Sequence, residues 1–228
     1  MKSNTLRNSL LTLCAATFVA LAPAANAQSE QQKLVNEAAT TFNNFLRDPN
    51  MTWFQKNAGR AKGFLIAPQV AKAGFIFGGS GGRAVLVARN PKTGKWDGPA
   101  FYVLATASVG FQAGVSVSEV ITMVMTEKGL NSLLSTSVKL GGDASIAAGP
   151  VGAGAQGEVI TDMVSFARAK GVFGGLNLDG TAVTISDEWN EAYYKKKVLP
   201  PDIVVTESVK NAAAGPLLNS VAKATGGK

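Results

Sequence analysis

The chain has 228 residues, 46% of them hydrophobic and 16% charged, with a formal charge of +7, one cysteine and no histidine. So high a hydrophobic fraction excludes a disordered chain, and the length is enough to bury a sizeable core. Lack of histidine excludes Ser-His-Asp and Cys-His centres, His-containing zinc sites and a near-neutral imidazole base, leaving an enzyme only carboxylates, lysine, tyrosine or serine.

Lys2 and Arg7 begin a basic start, residues 10–22 are almost unbroken apolar, and Pro23 precedes Ala25-Asn26-Ala27. This is the pattern of a secretory signal, with cleavage expected before Gln28. A transmembrane anchor needs about 20 apolar residues, more than this run offers. Leu13 before Cys14 does not suit a lipoprotein signal. The expected location is the periplasm or cell envelope, peripheral to a membrane. Cleavage removes Cys14, so the remaining chain, read as one domain over residues 28–228, has neither a disulfide nor a thiolate nucleophile.

Ser29 and Gln32 form a capping-box pair, and Leu34, Val35, Ala38, Phe42, Phe45 and Leu46 recur at helical spacing until Asp48-Pro49, which predicts a helix over 30–47. A short helix is expected over 51–57, started by Asn50. From Lys62 the pattern changes to β-prone runs divided by glycine, at 63–67, 74–77, 83–89, 101–108, 115–126, 159–166, 171–178 and 181–186. Asn90-Pro91-Lys92-Thr93-Gly94-Lys95 reads as a hairpin loop and Leu178-Asp179-Gly180-Thr181 as a tight turn. Helices are expected at 127–134 after Thr126 and at 187–195 after Ser186, with a hinge at Pro200-Pro201 and a helical tail over 202–223 broken at Gly215-Pro216. Strands grouped without regular βα alternation indicate an α+β fold, with a curved, mainly antiparallel sheet or partial barrel flanked by helices.

Three motifs match catalytic signatures in part. Gly78-Gly79-Ser80-Gly81-Gly82 fits a nucleophile elbow, but strand-like residues follow where the elbow needs a helix, and no histidine can take the serine proton; a glycine-rich hairpin is expected instead. Gly152-Ala153-Gly154-Ala155-Gln156-Gly157 fits a dinucleotide fingerprint with contrary flanks, and reads as a bulged strand. Asp187, Glu188 and Glu191 read as solvated residues favoured at a helix start. No catalytic residue, metal site or cofactor is expected.

Charge is distributed unevenly. Residues 49–96 contain no acid and eight bases, namely Lys56, Arg60, Lys62, Lys72, Arg83, Arg89, Lys92 and Lys95. A basic face of this kind suits a phosphate-bearing surface. No RNA-binding aromatic motif or recognition-helix spacing supports nucleic acid, so anionic lipid is the expected partner. Lys56, Arg60, Lys62 and Lys72 are the candidate lipid contacts, with Trp53 and Phe54 as apolar anchors.

Several segments together resemble the SYLF domain family. They include Ala61-Lys62-Gly63-Phe64-Leu65-Ile66-Ala67-Pro68, Lys72-Ala73-Gly74-Phe75-Ile76-Phe77-Gly78-Gly79, Trp96-Asp97-Gly98-Pro99-Ala100, Gly110-Phe111-Gln112-Ala113-Gly114 and Ser165-Phe166-Ala167-Arg168-Ala169-Lys170-Gly171-Val172-Phe173-Gly174-Gly175. The resemblance implies a non-enzymatic module that binds phosphoinositides or other acidic phospholipids, described as actin-binding in fungal members. It also implies membrane contact through an N-terminal amphipathic helix and basic residues. Here that helix carries Lys33 and Arg47 against Glu30, Glu37 and Asp48, and export argues against actin. The alternative is a soluble periplasmic carrier or assembly factor holding an apolar ligand in its β-rich body.

Overall fold

The computed structural model describes residues 28–74, 77–109, 114–169, 178 and 180–226. Eight strands form one curled mixed sheet in the order β5-β8-β3-β2-β1-β4-β7-β6. They are β1 (Gly63–Gly74), β2 (Phe77–Arg89), β3 (Trp96–Val109), β4 (Gly114–Val124), β5 (Ser137–Lys139), β6 (Ile146–Ala148), β7 (Met163–Ala169) and β8 (Ala182–Ile185). Every neighbouring pair is antiparallel except β6 and β7. The α+β class and the curved sheet are as the sequence indicates.

Six α-helices accompany the sheet among the described residues: α1 (Glu30–Arg47), α2 (Thr52–Asn57), α3 (Glu127–Leu134), α4 (Asp187–Tyr194), α5 (Pro200–Val204) and α6 (Gly215–Ala224). The capping residues that start α1 and α3 are those read from sequence. Ser29 accepts from the Gln32 amide at 3.2 Å and Thr126 from the Gly129 amide at 3.0 Å. Gln32 does not complete the expected box; its side-chain amide turns to Asn36 and the Ala213 carbonyl. Asp48 accepts from the Asn50 amide and so starts the 3-10 turn Pro49–Met51, while α2 follows Met51 with no side-chain cap where the sequence reading had Asn50 start it. Ser186 makes no side-chain cap, and α4 ends at Lys195 in the left-handed region.

Adjacent residues of each central strand face opposite layers. Phe64, Ile66, Val85, Val87, Phe101, Ile121 and Phe166 belong to one core with α1, α2, α4 and α6. Leu65, Leu86, Tyr102, Leu104, Val120 and Val183 belong to a second, with Leu130 and Leu133 of α3 and Ile203 and Val204 of α5. Burial on both faces explains why 63–67 and 84–88 read as continuous apolar runs rather than alternating ones.

Glycine does not divide the strands as expected. The run at 63–67 lies within β1, Gly74 ends that strand and Phe77 opens β2, and Gly78–Gly82, expected as a hairpin, lies within β2, in register with β1 and β3. Pro68 sits in central β1, where its missing N–H would leave a gap in the ladder. The strand is bulged there against both neighbours, with register shifts at Ile66/Gln69 and at Ala67/Val70. Opposite the bulge, a Cβ on Gly82 would overlap the Gln69 carbonyl, so the close approach requires glycine.

Other boundaries also differ. Residues 149–162 form an irregular loop, not the expected bulged strand, and the strand expected from 159 starts at Met163. Pro200-Pro201 occupies the first turn of α5, and Gly215-Pro216 opens α6, because proline suits the start of a helix, where its missing N–H costs nothing. Of the strand expected at 171–178 only Leu178 is among the described residues; in the turn at 178–181 only Asp179 is not, and the Thr181 amide donates to the Leu178 carbonyl at 2.9 Å, while the signal at 1–27 lies outside the described residues.

Candidate functional site

The backbone ladder gathers basic residues at one end of the sheet, where β1 and β3 begin and β2 and β4 end. Lys62 leads into β1; its amide donates to the Val124 carbonyl at 2.7 Å, and its carbonyl accepts from the Arg89 amide at 2.8 Å. Arg89 ends β2 with its guanidinium 4.9 Å from the Trp96 ring centroid. The hairpin loop then turns on Asn90, whose side-chain oxygen accepts from the Lys92 and Thr93 amides, leaving Lys92 and Lys95 exposed. Arg60, on the 3-10 turn Ala58–Arg60 before Lys62, is exposed and donates to Asn57 at 3.1 Å. Lys56 is exposed on α2. Of Arg60, Lys62, Arg89, Lys92 and Lys95, only Lys62 is in an ion pair among the described residues, with Glu127 at 3.0 Å.

Lys72 is not part of this group. It lies ten residues along β1, opposite Ser80 and Ser116, about 30 Å from Lys62 at the rise of an extended strand. Arg83 is also elsewhere, over the Trp189 ring at 4.0 Å. Arg89, Lys92 and Lys95 were counted in the acid-free segment but not chosen as contacts. The signal was present: an antiparallel β1–β2 pair joined to β3 by the 90–95 hairpin returns all three to the Lys62 end.

Trp53 and Phe54 cannot be surface anchors where they stand. Trp53 is 2% exposed and donates its indole N–H to the Gly157 carbonyl at 2.7 Å; Phe54 is fully buried. Both point inward because α2 lies across the same core as α1. Likewise α1 turns its apolar stripe, including Val35, Ala38, Phe42 and Phe45, onto that core and not toward solvent.

Two clefts flank the body. One, of about 300 Å³, lies between α1 and the β1 bulge, lined by Lys33, Glu37, Thr40, Gln69 and Glu119. Glu119 ties the layers there, accepting from Thr41, Asn44 and Arg168. The other, of about 380 Å³, opens at the basic end, between Arg60 and residues 158–162.

Asp162 forms the floor of the second cleft. Its carboxylate accepts from the Thr126 hydroxyl at 2.7 Å, from the Ser145 amide and hydroxyl at 3.0 and 2.8 Å, and from Lys128 at 3.1 Å. The Thr126 bond is the largest cause holding its pKa far below the ordinary carboxylate range; partial burial opposes it, and the Ser145 and Lys128 bonds add to the lowering. A lowered native pKa contributes stability that is complete above the unfolded value near 4 and is lost as pH falls below it. Asp162→Asn should therefore cost about 1–3 kcal/mol at neutral pH, the range for losing a charged hydrogen-bond acceptor. The gap from the parent protein should narrow toward pH 3, as urea denaturation at both pH values would show.

Ser80 faces Lys72 and Thr106 across ladder bonds within β2, so the elbow geometry is absent there. Asp187, Glu188 and Glu191 are exposed on α4.

An α+β body with two packed cores and a basic sheet end has the features of a binding domain. Residues 105–224 match the family described as Ysc84, Las17-binding protein actin regulator, and the chain belongs to that family, the one its motifs resemble. It is 31% identical over 166 residues to Protein YSC84 of Saccharomyces cerevisiae, covering 70% of this chain and 35% of that one. It is 29% identical over 160 residues to SH3 domain-containing YSC84-like protein 1 of Homo sapiens, covering 68% and 46%. A further relative is LAS seventeen-binding protein 3 of S. cerevisiae, 31% identical over 142 residues, with coverage of 59% and 30%. The match thus spans between 30% and 46% of the length of these relatives. No solved structure matches it. The family is described by binding and regulation, not by a catalysed reaction.

Proposed function

We propose that this protein binds anionic phospholipid at a membrane surface, as an exported peripheral component of the cell envelope, and that it does so through the basic end of its sheet. The SYLF resemblance supplies the ligand class, and the signal pattern at residues 1–27 supplies the location. The observation that carries the proposal is the convergence of Arg60, Lys62, Arg89, Lys92 and Lys95 on one end, where among the described residues only Lys62 of the five is ion-paired and Glu207 stands beside Asn90 of the hairpin. A phosphate surface offers such a group many weak partners at once, without a pocket of fixed shape. Las17 and actin are named in the family's description, and LAS seventeen in the name of a relative of which the match covers 30%; neither accounts for the basic end.

Each base near an anionic surface contributes about 1 kcal/mol, so five give about 5 kcal/mol, a sub-millimolar attraction. Salt should weaken it. In co-sedimentation, the protein should pellet with vesicles of equal parts phosphatidylglycerol and phosphatidylcholine near 0.01 M salt and be released near 1 M, where the Debye length shrinks from about 30 to about 3 Å. Equal pelleting with phosphatidylcholine alone, or no response to salt, would overturn the proposal.

A further inference from the structure

Electrostatics alone leaves the attraction weak, and the two aromatic residues expected to strengthen it are in the core. The strongest remaining apolar feature at the basic end is Ile160, the most exposed large hydrophobic side chain among the described residues, with 91% of its surface in solvent. A β-branched aliphatic so fully exposed on a tethered loop has its whole apolar surface available for burial by a partner.

The loop that carries Ile160 is held on both sides. Before it, the Gly152 amide donates to the Asn50 carbonyl at 2.8 Å, and the Gly157 carbonyl accepts from Trp53. After it, Thr161 donates its hydroxyl to Ser145, and Asp162 is fixed by the four bonds described above. The Met125 amide donates to the Asp162 carbonyl at 2.8 Å, which extends the β4–β7 ladder by one step and sets the loop at the Lys62 end of the sheet. Burial of Trp53 thus has a second effect: its indole pins the loop that presents Ile160.

Cations stand at the same end of the body as this side chain. Arg60 lines the same cleft as Ile160, Lys128 reaches the cleft floor at Asp162, and Lys62 emerges beside Val124. The acids close by are Glu158, which also lines the cleft, Asp162, which is bound to Lys128, and Glu127, which is bound to Lys62. An aliphatic prong with cations at the same end matches the boundary between headgroups and acyl chains, where an apolar group is buried while bases stay among phosphates.

Resting on the lipid-surface proposal, we infer that Ile160 is the apolar anchor of the contact and enters the headgroup boundary of an anionic bilayer while Arg60 and Lys62 engage the phosphates. Burying one isoleucine side chain is worth about a tenfold or greater gain in affinity.

The test uses the cleaved form, residues 28–228, which holds no cysteine and lacks the apolar run at 10–22, and adds Ile160→Cys carrying an environment-sensitive nitrobenzoxadiazole dye. With the phosphatidylglycerol–phosphatidylcholine vesicles, the dye should shift to the blue and be quenched by lipids spin-labelled near the headgroup. Separately, Ile160→Asp should weaken vesicle affinity by about tenfold or more with an unchanged thermal transition, while Ile160→Leu should retain affinity. If the protein pellets with vesicles but the dye stays water-like, or Ile160→Asp binds as tightly as the parent, the anchor is wrong and the basic-end proposal stands. If the parent chain itself fails to pellet with anionic vesicles, both fall.

Discussion

Phe54→Ala should destabilise the protein by about 3–5 kcal/mol, the usual cost of truncating a buried phenylalanine and leaving a cavity. Phe54 has no exposed surface, and its ring centroid lies 5.6–6.0 Å from those of Phe42, Phe45, Phe64 and Phe166, all at steep edge-on angles. These four rings come from α1, β1 and β7, so removing the central one loosens the helical layer and the sheet together. Native domains are stable by only about 5–15 kcal/mol, so the loss is a large share of the whole. Urea denaturation should show a lower midpoint with an unchanged slope. A stable variant with weakened vesicle binding would be the result for a surface anchor, and would contradict the buried placement.

Reversing charge at Arg60, Lys92 and Lys95 together should lower affinity for anionic vesicles by about 100-fold or more at low salt. Three bases at about 1 kcal/mol each account for that factor before the repulsion from the new glutamates is added. All three are exposed, so stability should change little. Lys62 is left in place because its pair with Glu127 would turn reversal into a folding perturbation. Lys72→Glu is the internal comparison. Standing at the far end of β1, it should bind nearly as the parent does, whereas the four-residue site read from sequence would have it count equally. Vesicle co-sedimentation of the two variants side by side decides between the two surfaces.

How far the sequence determines these features depends on the range of the interaction behind them. Helices α1 and α3 were legible because capping oxygens at Ser29 and Thr126 and the apolar spacing behind them are local. The hairpin at 90–95 was legible for the same reason, through Asn90 and its own neighbours. Glycine misled because its usual role as a breaker is also local. In Gly78–Gly82 the ladder to β1 and β3 decides the outcome, and those partners are distant in sequence. Trp53 and Phe54 were misplaced because adjacency to a basic run says nothing about which side of α2 faces the core. That Arg60 and Lys62 belong to a basic stretch was legible from charge alone. Excluding Lys72 needed the strand's length, and Ile160 needed a loop whose conformation rests on bonds from Trp53, Asn50 and Ser145.

The length of β1 also sets two ends of the body apart. Its two ends are carried on one continuous strand, stiffened by partners on either side, so the chain has a long axis with a charged foot at Lys62 and small residues at Gly74. If that foot is the one seated on lipid, as proposed, the outer stretch, with Val115 at 82% exposure, lies about 30 Å away along the strand. That distance exceeds the roughly 8 Å over which ions in physiological solution let a charged surface be felt. The two ends are therefore electrostatically independent: whatever meets the far tip meets it at the bulk salt and proton concentration, whichever lipids lie beneath the foot.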